Sequence, residues 1–254
     1  VTEFLRYRDL VTTLVVRDLR VRYRRSAIGF LWTMLQPLLT MLVLNLVFSA
    51  LFRFEIVNYP VYALAGIMFW NFFSQSITGS MNSLRDNAQL VTKLPVPKAV
   101  FPLAAVIAGM VNLFFALVPL FGLLLVTGHP IRPAVLFLPV AVVLASVFTL
   151  GAGLLLSPMA VFFYDTVEMV GVALTLFMYM TPIFYPMDIV PDEYLWAVRF
   201  NPLRSVLEVF RDPIYFGKIP PLTHLTVATL IALVALVVGI LAFRASSDRI
   251  PFYV

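Results

Sequence analysis

Cysteine is absent from the 254 residues, and charge is scarce: Asp, Glu, Lys and Arg together make up 12% of the chain. Without cysteine there is no disulfide framework and no thiolate metal site. A soluble domain carries about 25% charged residues and needs polar cover for its surface. At 61% hydrophobic residues this chain cannot supply that cover, and lipid as the solvent removes the need for it. Catalytic motifs are missing as well. No Gly-rich loop ends in Gly-Lys-Ser or Gly-Lys-Thr, so no P-loop ATPase is encoded here. Neither a His-Glu-x-x-His helix nor a Gly-x-Ser-x-Gly elbow occurs. His129 and His224 lie far apart, neither beside a cluster of carboxylates, and no metal site is expected. The first residues are too charged for a signal peptide, and no small-residue cleavage site follows a short apolar run.

What is present is length without charge. Six apolar runs predict six transmembrane helices, at 28–51, 60–79, 99–126, 134–158, 167–186 and 222–243. The first alone measures about 36 Å as a helix at 1.5 Å per residue, against a hydrocarbon core of roughly 30 Å. Barrel strands need only about ten residues and alternate in polarity, which these runs do not. Pro102 and Pro119 fall inside the third run and are tolerable where neighbours satisfy the freed carbonyls. The fold class expected is therefore all-α, a single polytopic domain over residues 1–254.

Basic residues set the orientation. Seven arginines, from Arg6 to Arg25, precede the first run, and Arg85, Lys93 and Lys98 lie between the second and third. With both ends in the cytoplasm, twelve of the 18 basic residues fall inside. The six outside are offset by Asp188, Asp192, Glu193, Glu208 and Asp212. The net charge of +5 thus points to the inner leaflet and not to nucleic acid. The expected location is the cytoplasmic membrane of a bacterium.

Three segments lie outside the runs. Residues 10–25 read as an interfacial helix: Arg17, Arg20 and Arg24 share a face, with Arg25 at its end, and Leu10, Val11, Leu14, Val15 and Leu19 form an apolar arc. Residues 84–94 are helix-compatible until Pro95 and Pro97 impose an extended link. A short rigid helix there is what a motor subunit could push, although an ordinary connector reads the same way. Residues 194–212 are apolar with interspersed charge, and Asn201-Pro202 breaks them into two short helices. Such pieces either gate a pathway or pack on the outer surface.

Aromatic residues are the other candidates. Phe69, Trp70 and Phe73 crowd the second run, and Phe177, Tyr179 and Tyr185 the fifth. Flat rings stack on sugars, and they also anchor helices at membrane interfaces. Asp165 and Glu168 are read as the aqueous boundary of the fifth run and not as an ion site. With no ionisable group at mid-membrane, an ion-driven carrier is disfavoured.

The stretch from Arg17 to Trp32, with Gln36-Pro37 after it, resembles the start of the ABC-2 family of exporter permeases, above all the transmembrane subunits of polysaccharide exporters. Asn71-Phe72-Phe73, Lys93-Leu94-Pro95-Val96-Pro97, Thr181-Pro182-Ile183-Phe184-Tyr185-Pro186, and Asn201-Pro202-Leu203 with Phe210-Arg211 extend the resemblance over nearly the whole chain. It implies two copies of this subunit, two copies of a separate cytoplasmic ATPase that binds ATP and Mg, and a polyprenyl-linked glycan such as O antigen, capsule or teichoic acid as cargo. This chain is then no enzyme and holds no cofactor of its own. The resemblance further implies that Leu84, Arg85, Asn87, Leu90, Lys93 and Leu94 belong to a coupling helix meeting the ATPase, and that Arg17, Arg20, Arg24 and Arg25 belong to the interfacial helix. Trp196, Phe200 and Phe210 would belong to outer gate helices, and runs one, two and five would border the channel. A drug or small-lipid exporter is the alternative within the family. A passive channel or membrane scaffold without an ATPase is the alternative outside it.

Overall fold

In the computed structural model, residues 7–23, 28–50, 56–93 and 95–254 are described, and every regular element among them is a helix. The first, α1 (Arg8–Tyr23), precedes α2 (Trp32–Ala50). Next comes α3 (Tyr59–Asp86), whose 28 residues make it about 42 Å long at 1.5 Å per residue. It runs into the short α4 (Ala88–Lys93), and α5 (Val100–Val126), α6 (Leu138–Phe162) and α7 (Thr166–Met180) come after it. Two short pieces, α8 (Leu195–Arg199) and α9 (Pro202–Arg211), lead to α10 (Leu222–Ser247).

The bundle is built around α3, against which α5 and α6 pack. Val61 to Trp70 are buried without interruption. On the far side of α6 lies α10, while α1 and α2 lie over α5 and α3. One apolar cluster joins Phe69, Leu120, Ile183, Leu207 and Phe210. A second sits around the C-terminal end of α3 and joins Leu14 and Val15 to Leu84, Val91, Phe101, Phe243 and Ile250. The apolar arc of α1 therefore faces the protein's own core.

Among the described residues, three helical stretches are long and apolar enough to cross a membrane: Val100–Val126, Pro133–Phe162 and Leu222–Ser247. Shorter apolar helices cover Trp32–Phe48 and Thr166–Met180. Despite its length, α3 is not in the first group, because polar residues occupy one side of its second half. Two boundaries differ from the sequence expectation. Helix α7 stops at Met180 and does not continue to residue 186, because Pro182 restricts the residue before it and Pro186 cannot bond as a donor. At the other boundary α3 continues to Asp86, so Leu84 and Arg85 belong to it, and only residues 88–93 form the separate short helix.

The pairing of α6 with α10 rests on small residues. Along α10 only Ala228, Ala232, Gly239 and Phe243 are buried, and the rest is exposed or half-buried. A side chain at Gly239 would land on the backbone of Gly151, and one at Gly151 on the backbone of Ala235 and Leu236. In lipid, such close approach replaces the hydrophobic drive as the source of helix association. Gly151→Ala therefore should destabilise the protein by about 1–3 kcal/mol, the range of an overpacked core. At an unencumbered helical position the same change would stabilise by about 1 kcal/mol, so the sign of the shift in thermal unfolding of the detergent-solubilised protein decides the matter.

Candidate functional site

At one end of the bundle the chain leaves α7 and crosses over α3 as non-helical backbone. The Arg211 side chain, 3% exposed, holds this crossing. Its Nη1 donates to the carbonyl of Pro182 at 2.8 Å and its Nη2 to that of Ile183 at 2.9 Å. The guanidinium also lies 3.9 Å from the centre of the Tyr62 ring, a cation–π contact made strong by burial. Two α3 hydroxyls complete the grip: Tyr59 donates to Phe184 O at 3.0 Å and Tyr62 to Tyr185 O at 2.9 Å. Gly66 is the opening that admits Arg211, since a Cβ there would sit 2.5 Å from Nη2. Asn201 secures the other strand of the crossing. Its Oδ1 accepts from Leu203 N, capping α9, and its Nδ2 donates to Thr181 Oγ1 at 2.9 Å.

Burial pulls the Arg211 pKa down, against the opposing attraction of Tyr62, Glu208 and Asp212. Beside it, the Asp212 carboxyl is pushed up to about 6 by burial and by the Glu208 carboxylate. Glu208 itself pairs with Arg204 one turn back, at 2.7 Å.

The opposite end joins α1 to the junction of α3 and α4. Arg17 Nη1 donates to Asn87 Oδ1 at 2.6 Å, and Arg17 Nη2 pairs with Asp18 at 2.8 Å. Asn87 Nδ2 donates back to Ser83 O at 2.7 Å, so one buried amide closes the end of α3 and receives α1. Arg85 lies 4.7 Å from the centre of the Tyr164 ring, which ties α3 to the α6–α7 corner.

Residues 9–215 match the model of the ABC-2 type transporter family. The chain belongs to that family. It is thus a multi-pass membrane protein of a transporter family. Among its relatives is an O-antigen export system permease protein of Myxococcus xanthus, 34% identical over 239 residues, 93% of this chain and 92% of the relative. One from Klebsiella pneumoniae is 30% identical over 242 residues, 95% and 93% of the two chains. The polysialic acid transport protein of Escherichia coli is 23% identical over 245 residues, 94% and 93%.

Within this ABC-2 transporter chain, the aromatic candidates divide. Phe69, Trp70 and Phe73 are buried in the chain's own core, Phe69 against Phe210 at 5.9 Å and Phe73 stacked on Phe148 at 5.6 Å. Phe177 and Tyr179 are exposed on α7, and Tyr185 donates to Tyr179 O at 2.7 Å. Phe73 and Phe177 border one apolar cavity of about 240 Å³; Tyr179 and Tyr185 do not reach it. Among the gate candidates, Trp196 and Phe200 are exposed and Phe210 is fully buried. In the coupling segment, Leu84 is buried, Leu90 packs inward, and Lys93 is exposed, as are Gln89 and Thr92. Arg17 is in the joint and Arg20 is exposed. Arg24, Arg25 and Leu94 lie outside the described residues. Sequence reasoning assigns no role to Arg211, Gly66, Tyr59 or Tyr62. One signal is available: Arg211 stands one helical turn after Leu207 and two after Leu203, on the apolar side of α9, and a cation there demands an internal partner.

Two outcomes test the Arg211 end. Arg211→Met leaves the buried Ile183 carbonyl without its donor, at about 1–3 kcal/mol, and the Pro182 carbonyl with only the Tyr62 hydroxyl at 3.3 Å, and should lower thermal stability well beyond Arg204→Met on the same helix. Asp212 gives a pH dependence. Its folded pKa is raised, so the folded state holds the proton more tightly; the stability it contributes is present below the ordinary carboxylate range and lost as pH rises through about 6. Asp212→Asn is therefore expected to unfold at a higher temperature than the parent at pH 8, and at the same temperature at pH 3.

Proposed function

We propose that this chain is the membrane subunit of an ATP-driven exporter of lipid-linked polysaccharide, with O antigen as its cargo. The observation that carries this reading is the near-full-length similarity to O-antigen export permeases. Six spans fit it: α2, α3, α5, α6, α7 and α10, with both termini in the cytoplasm. As a helix α7 measures only about 22 Å, short of a hydrocarbon core of roughly 30 Å, and residues 181–186 complete its crossing. Helices α8 and α9 then lie toward the outer side as a gate.

Two copies of the chain assemble with two copies of a cytoplasmic ATPase, which binds ATP and Mg and does the hydrolysis. The ATPase meets α4, where Gln89, Thr92 and Lys93 face outward. ATP-driven closure of the ATPase pair moves α4. The shift passes to α1 through the Arg17–Asn87 bond and along α3 into the bundle. No covalent chemistry occurs in this subunit, which acts by opening a path for the polyprenyl-linked chain.

Co-expression with the ATPase in a strain lacking its own exporter should restore surface polysaccharide, and the two subunits should purify together. Export of a drug or small lipid alone would favour the other branch of the family. Polysaccharide at the surface without an associated ATPase would refute the ATP-driven reading. Cysteines at two exposed positions, Val57→Cys and Thr92→Cys, report orientation against a cysteine-free background. An impermeant thiol reagent outside intact cells should label only the first.

A further inference from the structure

Beyond α10 the chain folds into a 3₁₀ turn, Ile250–Phe252. Phe252 N donates to Arg249 O and Tyr253 N to Ile250 O, each at 3.1 Å. Pro251 suits this turn, because it supplies no donor and cannot extend a helix. At three residues per turn, successive side chains point about 120° apart. Ile250 takes the inward direction and is fully buried, in the cluster that holds Leu84 of α3, Val91 of α4 and Phe243 of α10. Phe252, two positions on, is thereby turned outward and is 85% exposed. Tyr253 is exposed as well, and its ring meets Phe162 at the end of α6 edge-on at 5.1 Å. The turn and α4 are direct neighbours, with Cα atoms within 8 Å of each other.

A single exposed phenylalanine needs no explanation by itself. Three features set this one apart. Its mounting is rigid, since Ile250 pins the turn into the core two residues earlier. Its position is aqueous: Arg244, Asp248 and Arg249, all exposed, stand between it and Phe243, the last buried residue of α10, and such charges do not enter hydrocarbon. Anchoring at the membrane interface favours Trp and Tyr, whose polar group Phe lacks. Its surroundings are those of an interface. The ring extends the exposed surface that α4 presents through Gln89, Thr92 and Lys93. Lys93 and Arg249 are exposed on that surface, so a complementary face supplies carboxylates around an apolar pocket.

We propose that the turn Ile250–Phe252 and α4 form one docking surface for the cytoplasmic ATPase, with Phe252 as an aromatic anchor that enters an apolar pocket rimmed by carboxylates on that subunit. The assignment rests on the reading that the ATPase meets α4, and adds to it a contact from the segment after α10. A load on Phe252 passes through buried Ile250 into α10, and from Gly239 to Gly151 of α6, where the two backbones touch. This route is separate from the Arg17–Asn87 bond and reaches the helices that the bond does not.

The test uses the whole chain in inverted membrane vesicles, with and without the co-expressed ATPase, on the cysteine-free background. Phe252→Cys and Thr92→Cys should both react with a water-soluble maleimide when the ATPase is absent, and both should be protected when it is bound. Phe252→Ala should weaken binding of the purified ATPase to the detergent-solubilised chain on the order of tenfold, the loss of one aromatic anchor. Phe252→Glu, set against carboxylates, should weaken it further. Thermal unfolding of the chain alone should not move in either variant, because the ring is exposed. Equal labelling of Phe252→Cys with and without the ATPase, while Thr92→Cys is protected, overturns this inference and leaves the α4 contact standing. Protection of neither position overturns both readings. Protection at position 252 alone separates the turn from α4 and overturns the shared surface. Failure of Phe252→Cys to label without the ATPase places the ring in lipid or against a second copy, and unchanged ATPase binding by Phe252→Ala leaves it no anchoring role; either result overturns the assignment.

Discussion

Beyond Met180 the carbonyls of Pro182 and Ile183 have no helix to receive them, and one guanidinium takes both. In hydrocarbon, irregular backbone persists only where protein satisfies it. On the six-span reading, a helix of 15 residues is too short to span alone, and the next residues cannot be helical because Pro182 and Pro186 interrupt them. The crossing must therefore be non-helical, and its acceptors must be served from inside the chain. Arg211 can do so with a planar fork that lysine lacks. Delivering it requires α9 to be buried on its apolar side, with Leu203, Val206, Leu207 and Phe210 in the core. It also requires α3 to have no side chain at residue 66. The Asn201 cap, the Tyr59 and Tyr62 hydroxyls and the Phe69–Phe210 contact all serve that one need.

Much of the helical layout is legible in the sequence because length and absence of charge are local properties. The runs at 99–126, 134–158 and 222–243 agree to within four residues at each end with the three helical stretches that, among the described residues, are long enough to cross a membrane. Asn201-Pro202 is legible for a similar reason: proline has no N–H, and the asparagine before it caps α9. Partnership across the chain is far less legible. The spacing of Phe69 and Phe73 establishes that they share a helix face, but nothing local says whether that face meets cargo or core. The answer depends on Phe148 and Phe210, 75 and 141 residues away from Phe73 and Phe69. Arg211 is harder still, since its partners are backbone carbonyls, which carry no side-chain signature. The polar second half of α3 shows in the sequence as Ser74, Gln75, Ser76 and Thr78. Read as the end of an apolar span, it conceals a helix that continues to Asp86.

These features give the two halves of α3 different mechanical characters. From Val61 to Trp70 every residue is buried, and Tyr59, Tyr62 and Gly66 engage the crossing segment. From Asn71 onward one side opens on cavities. The open half ends at Asn87, where α1 and α4 are attached. A helix without interior proline transmits displacement along its axis with little bending, and the proline of α3 lies at its start, at Pro60. On the export reading, force from the ATPase enters at the end that has room to move, and the gripped end acts as the pivot. Displacement at the Asn87 end then changes the width of the polar half first. The Arg211 end resists, because releasing it would strand the Ile183 carbonyl and a buried cation together.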